Sequence, residues 1–116
     1  MEYEQSPGIP IEVVYQNGYQ ILRIKEHLER GMDLSPLRRA IEMSLAEGKT
    51  KIALSLSPDS FLYSEILANI VTYYKMVSAQ GGSIWVVQDN EKILFILETL
   101  GLTDLISIVS SEDALP

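Results

Sequence analysis

Apolar residues recur along this 116-residue chain at two different periods, and the switches between them mark its elements. Ile11, Val13, Val14 and Tyr15 precede Asn17-Gly18, and Ile21, Leu22 and Ile24 follow it. β-branched runs on either side of Asn-Gly predict a hairpin, because Asn and Gly both accept the positive φ of a type I′ turn. KEHLERGMD has no period and reads as a connecting loop. The spacing then turns helical: Leu37, Ile41 and Leu45, with Ala40 beside them, form one stripe. Ser35 is the expected N-cap, Pro36 the expected first helical residue and Gly48 the expected stop. KIALSLS (51–57) alternates, with Ile52, Leu54 and Leu56 on one side and Ala53, Ser55 and Ser57 on the other. SPDSF is turn chemistry.

A second helix is predicted from about Ser64 to Ala79, with Ile66, Leu67, Ile70, Val71, Tyr74 and Val77 inward and Gly81-Gly82 as its end. On this reading Tyr73 lies off the apolar face and is exposed. SIWVV is a buried strand. Asp89 or Asn90 caps a third helix that turns Ile93, Leu94, Ile96, Leu97 and Leu100 inward, and Gly101 follows its end. LISIV is a last short strand, and SSEDAL is a capped helical start with acids in its first turn. The order β-β-α-β-α-β-α-β-(α) predicts one α/β domain. It has a mixed four- to five-stranded sheet, an N-terminal hairpin and three to four helices. Residues 1–8 read as a flexible lead-in and 9–116 as the domain.

Composition narrows the function. Hydrophobic residues make up 47% of the chain and charged residues 22%, which suits one soluble globular core. No apolar run approaches the roughly 20 residues that span a bilayer, and MEYEQSPGIP lacks the basic start of a signal peptide. There is no cysteine, which removes disulfides, thiolate metal sites and a cysteine nucleophile. A cytoplasmic location is expected. Sixteen acids against nine bases give a net charge of −7, so nucleic acid and anionic membrane are poor partners. Arg38-Arg39 is the one adjacent basic pair and reads as a solvated helix face.

Catalytic equipment is sparse. His27 stands alone between Glu26 and Leu28, with no nucleophile or ligand set around it in sequence. There is no Walker loop, GxGxxG or GxSxG, and Gly81-Gly82 follows a helix instead of opening one. No enzyme, metal or cofactor is expected.

The pieces SLSPDSFLYSEIL, AQGGSIWVV and KILFILETLGL, in that order and spacing, resemble a STAS domain. That family is named for sulfate transporters and anti-sigma factor antagonists, and its members read DLSxVxFxDSSGLxxL, then a helix, then GGxLxLxxxxxxVxxxLxxxGL. The likeness runs from about Ile11 to Leu115. It implies a bacterial protein-binding regulator of transcription that sequesters an anti-sigma factor acting as a serine kinase. The first serine of DSSG is the one phosphorylated in such proteins. Laid residue by residue, Tyr63 stands at the aspartate, Ser64 at the phosphoserine, Glu65 at the second serine and Ile66 at the glycine. Glu29 stands for the aspartate of a GxLD loop at Glu26-His27-Leu28-Glu29, and Ser55 for the aspartate of DLS. Ser64 is thus retained while its three motif neighbours differ.

Two readings of Ser64 stay open. A serine before an apolar helical run is an N-cap. The same position is also a phosphorylation site that the positive end of a helix tolerates. Ser57 and Ser60 are weaker phosphorylation candidates and read as turn residues. Tyr63, Glu65, Tyr73 and Glu29 are the candidate partner surface. Glu65 also serves as a candidate fixed negative charge that holds the protein in one binding state. The alternative function is a phosphorylation-independent STAS module in a signalling scaffold or on a membrane transporter. Nucleotide binding is implied by the resemblance alone, and oligomeric state is left open.

Overall fold

The computed structural model describes residues 8–60 and 62–116, so the lead-in at 1–7 and Phe61 lie outside it. The chain forms β1 (Ile11–Gln16), β2 (Tyr19–Ile24), α1 (Ser35–Ala46), β3 (Lys51–Ser55), α2 (Ser64–Ala79), β4 (Ser83–Val87), α3 (Glu91–Thr99) and β5 (Ser107–Val109). Short 3-10 turns occupy Leu102–Asp104 and Glu112–Ala114. The five strands lie side by side in chain order. β1 and β2 are antiparallel, and every later pair is parallel.

The hairpin forms as expected. Asn17 (φ 56°) and Gly18 (φ 85°) join Gln16 to Tyr19 across the tight turn. Each later strand needs a crossover, and crossovers of one hand that always step the same way put their helices on one side. The core accordingly joins Leu22, Ile24, Ile52, Leu54, Ile84 and Val86 to the inner faces of α1, α2 and α3. The other side of the sheet carries a smaller cluster of Tyr19, Ile21, Ala53 and Val87, closed by Leu115. Val14, Trp85 and Val109 are only partly covered there.

Three expectations are corrected by packing. Ile66, Ile70, Tyr73 and Val77 are the buried residues of α2, while Leu67, Val71 and Tyr74 are only half-buried. The apolar arc of α2 is wide, so its pattern leaves the centre undefined, and contact with α1 and the sheet selects the Tyr73 side. Tyr73 is therefore 2% exposed, not a surface residue. Leu100 is also exposed: α3 ends one residue earlier, Gly101 turns the chain (φ 76°), and Leu102 takes the inner place. At α1 the cap position is Leu34 and Ser35 is already helical. The Asp33 carboxylate accepts from the Ser35 N–H (3.0 Å) and hydroxyl (2.8 Å), so Asp33 does the work expected of Ser35.

Candidate functional site

The junction between β3 and α2 carries Ser64, and its shape comes from buried polar joints. Ser60 is buried, and its hydroxyl accepts the Leu28 N–H at 2.9 Å, tying the loop after β2 to the loop before α2. Ser57 accepts the Asp59 N–H at 3.3 Å within the same turn. Gln88, buried at the end of β4, donates to the carbonyls of Leu56 and Ser57 (both 3.2 Å). Its Oε1 accepts the N–H groups of Asp89 and Asn90 (both 2.9 Å). Asn90 then caps α3 through the Lys92 N–H (2.8 Å) and reaches back to the Pro58 carbonyl (2.8 Å). A buried amide with both ends satisfied is rigid, because moving it strands several groups at once. These joints fix the loop from which α2 departs.

Ser64 is the first residue of α2, not its cap. The cap position belongs to Tyr63, whose backbone is extended (φ −112°, ψ 172°), and no side chain caps this helix. The first turn closes with the Leu67 N–H on the Tyr63 carbonyl at 3.1 Å. Ser64 and Glu65 are exposed. The N-cap reading of Ser64 is thereby corrected: its hydroxyl lies outside the helix hydrogen bonding, at the positive end of a 16-residue helix.

The four residues expected to form a partner surface separate into two kinds. Glu29 and Glu65 are exposed, and the Glu29 carboxylate stands 3.5 Å from His27 Nε2. Tyr63 and Tyr73 are buried, at 6% and 2% exposure, so their rings support the surface from below. Tyr63 is buried within the main core cluster that also holds Leu62 and Ile66, and the sequence spacing could not show this. Burial pushes both phenols upward, and the Glu65 carboxylate pushes them further. At Tyr73 the Arg38 guanidinium acts in the opposite direction.

Beside Ser64 the starts of α1 and α2 enclose a groove of about 230 Å³, with Asp33, Ser35 and Arg38 on one wall and Glu65, Asn69 and Tyr73 on the other. Glu65 and Tyr73 meet here, and Glu29 is not among the lining residues. Asp33 is held below its ordinary pKa by the Ser35 hydrogen bonds. Asp33 and Gln88 were not singled out from sequence. A short acid two residues before a Ser-Pro helix start was the available signal for Asp33. Among the described residues no group of three or more His, Cys, Asp or Glu could hold a metal. No described helix is long and apolar enough to cross a membrane.

Comparison with known proteins adds the fold. No family model and no curated protein matches the sequence. Solved structures do. The NMR structure of the protein TM1081 is similar, with a TM-score of 0.74 and 24% identity over 97% of this chain and 89% of that one. A crystal structure of a candidate anti-sigma factor antagonist, tm1081 from Thermotoga maritima, has a TM-score of 0.68 and 25% identity, covering 90% of this chain and 88% of that one. The mixed five-stranded sheet, its single helical layer and these likenesses are together consistent with a STAS-like fold.

Proposed function

We propose that this chain is an anti-sigma factor antagonist: it binds an anti-sigma factor that is also a serine kinase, and phosphate on Ser64 releases it. The observation that carries the reading is the state of Ser64, exposed at the first position of α2 with no part in capping. A hydroxyl that does no structural work can be modified without unfolding the helix. The helix end tolerates the added charge of about −1.5 to −2, and that charge repels a partner seated over the groove. The likeness to a candidate anti-sigma factor antagonist supports the class of function. On this reading the protein acts in the cytoplasm by binding, with no catalysis of its own and no cofactor.

A second reading is favoured by Glu65. Its exposed carboxylate lines the groove and bears on both buried tyrosines. It supplies a fixed negative charge where a switch would place a reversible one, as in a phosphorylation-independent interaction module.

A pull-down from native lysate with the tagged protein separates the two, reading the bound partners and the mass of the Ser64 peptide. The switch predicts a kinase-like anti-sigma factor and a peptide heavier by one phosphate. It further predicts that Ser64→Glu weakens that complex by about tenfold or more, while Ser64→Ala leaves it intact. Equal binding by both variants rules out a charge switch at Ser64. The fixed-charge reading predicts that Glu65→Ser changes partner affinity and that the Ser64 peptide is never modified.

A further inference from the structure

The two edges of the sheet are built differently. β5 is three residues long, and a short edge offers little to a neighbouring strand. β1 is six residues, IEVVYQ, and no strand among the described residues pairs with its outer side. The register shows which groups are free. Pro10 accepts the Lys25 N–H at 3.0 Å, and Gln16 pairs with Tyr19 at the turn. Bonding pairs alternate in an antiparallel ladder, so Glu12, Val14 and Gln16 turn their backbone groups to β2. Ile11, Val13 and Tyr15 turn theirs outward, and none has a backbone partner on that side among the described residues.

The exposed side chains along this edge are apolar or aromatic, and the Lys49 ammonium lies over the Tyr15 ring, 4.9 Å from its centroid. Val13 is 48% exposed and Tyr15 58%. α1 turns its Arg38 side to α2, across the groove, so its opposite side faces β1; there the Pro36 ring stands against Gly8. Met43 is on that side and is 64% exposed. β1 itself contains no lysine or proline, and its register with β2 runs without a bulge. The one charge on β1, Glu12, is matched by Arg23 at 3.2 Å and Lys25 at 3.3 Å.

We propose that β1 pairs antiparallel with β1 of a second copy of this chain, joining two five-stranded sheets into one. A second copy fits because the edge is complementary to itself. Centring the pair on Val13 places Val13 opposite Val13 of the second copy and Ile11 opposite its Tyr15. That register uses every outward N–H and C=O of Ile11, Val13 and Tyr15. It sets aliphatic and aromatic side chains against one another on the helical side, the arrangement that stabilises sheets. On the other side Glu12 meets Val14, so no like charges stand opposite. The surface is distant in sequence from Ser64, and the proposal stands independently of the function above.

The test is sedimentation of the full chain over a concentration series, with engineered cysteines as a register probe. The wild type rises from 13.0 kDa towards twice that mass. Each copy carries −7, so added salt screens repulsion and strengthens the dimer. Val13→Lys shifts the midpoint about tenfold or more to higher concentration, because two ammonium groups face each other. Its far-UV spectrum and melting curve verify that it folds. The chain has no native cysteine, so Val13→Cys gives a single thiol at the two-fold centre, and mild oxidation links it into a dimer. Gln16→Cys, at the strand end, still dimerises but is not cross-linked by the same oxidation. A wild type that remains monomeric throughout, or two cysteine variants that cross-link equally, overturns the proposal and leaves the edge to a strand of another protein.

Discussion

Asp33, Gln88 and Asn90 hold the polar joints of this fold, and they differ in how openly the sequence announces them. Asn90 precedes an apolar helical run, where a cap is expected, and it caps. Gln88 looks like any residue at a strand end, and only the approach of the β3–α2 loop reveals its two carbonyl partners. Glu112 shows the same limit. Its position in a terminal acidic turn suggested a dipole role, yet its carboxylate pairs with Arg23, 89 residues away, at 2.7 and 2.9 Å. The Arg23 hydrogen bonds lower the Glu112 pKa below its ordinary 4.5. A depressed carboxylate contributes stability above its unfolded pKa and loses it as pH falls through the folded one. Glu112→Gln should therefore cost about 1 kcal/mol or less at pH 7. The gap to wild type should narrow as pH falls below the ordinary 4.5, read by urea unfolding across pH. An equal gap at pH 7 and pH 3 would show that the pair is not linked to protonation.

At the scale of elements, the ends were more legible than the faces. Gly48, Gly81 and Gly101 all follow helices with φ near 80°, as the sequence indicated. Gly81 and Gly82 look alike in sequence but act differently. Gly81 needs its positive φ and has open space around it. Gly82 has no such φ, but a Cβ there would strike the Thr50 carbonyl, which itself accepts the Ser83 N–H at 3.0 Å. Gly81→Ala should cost about 1 kcal/mol. Gly82→Ala should cost more, because β4 must move away from the end of β3. Chemical denaturation ranks the two, and a reversed order would mean that this contact is easily relieved.

The whole molecule is a single helical layer on one face of a sheet, and that layout decides which side chains are core. Tyr73 and Tyr74 are neighbours in sequence with opposite fates. Tyr73 packs beneath the α1–α2 groove, while Tyr74 flanks the core. Tyr73→Ala should cost about 3–5 kcal/mol, in the range for deleting a buried aromatic ring. Tyr74→Ala should cost about 1–2 kcal/mol, nearer the average substitution. Thermal melts of the two variants check the order, and a larger loss for Tyr74→Ala would place the α2 face where the sequence pattern alone put it.

The sequence by itself determined the element order, the hairpin turn, the helix stops and the α/β class. Each of these follows from short-range causes: φ preference, hydrogen-bonding side chains and the period of apolar residues. It also singled out Ser64, through position at a strand–helix junction. Tertiary structure decided the rest. It made Ser64 the first helical residue instead of a cap, buried Tyr63 and Tyr73, and left Glu65 and Glu29 outside. It also put Gln88 under the loop that launches α2 and, among the described residues, left β1 at the edge of the sheet. These outcomes depend on the phase at which a wide apolar arc docks and on which distant backbone groups arrive beside a polar side chain. Neither is encoded within a few residues of the position affected, so no local pattern carries them.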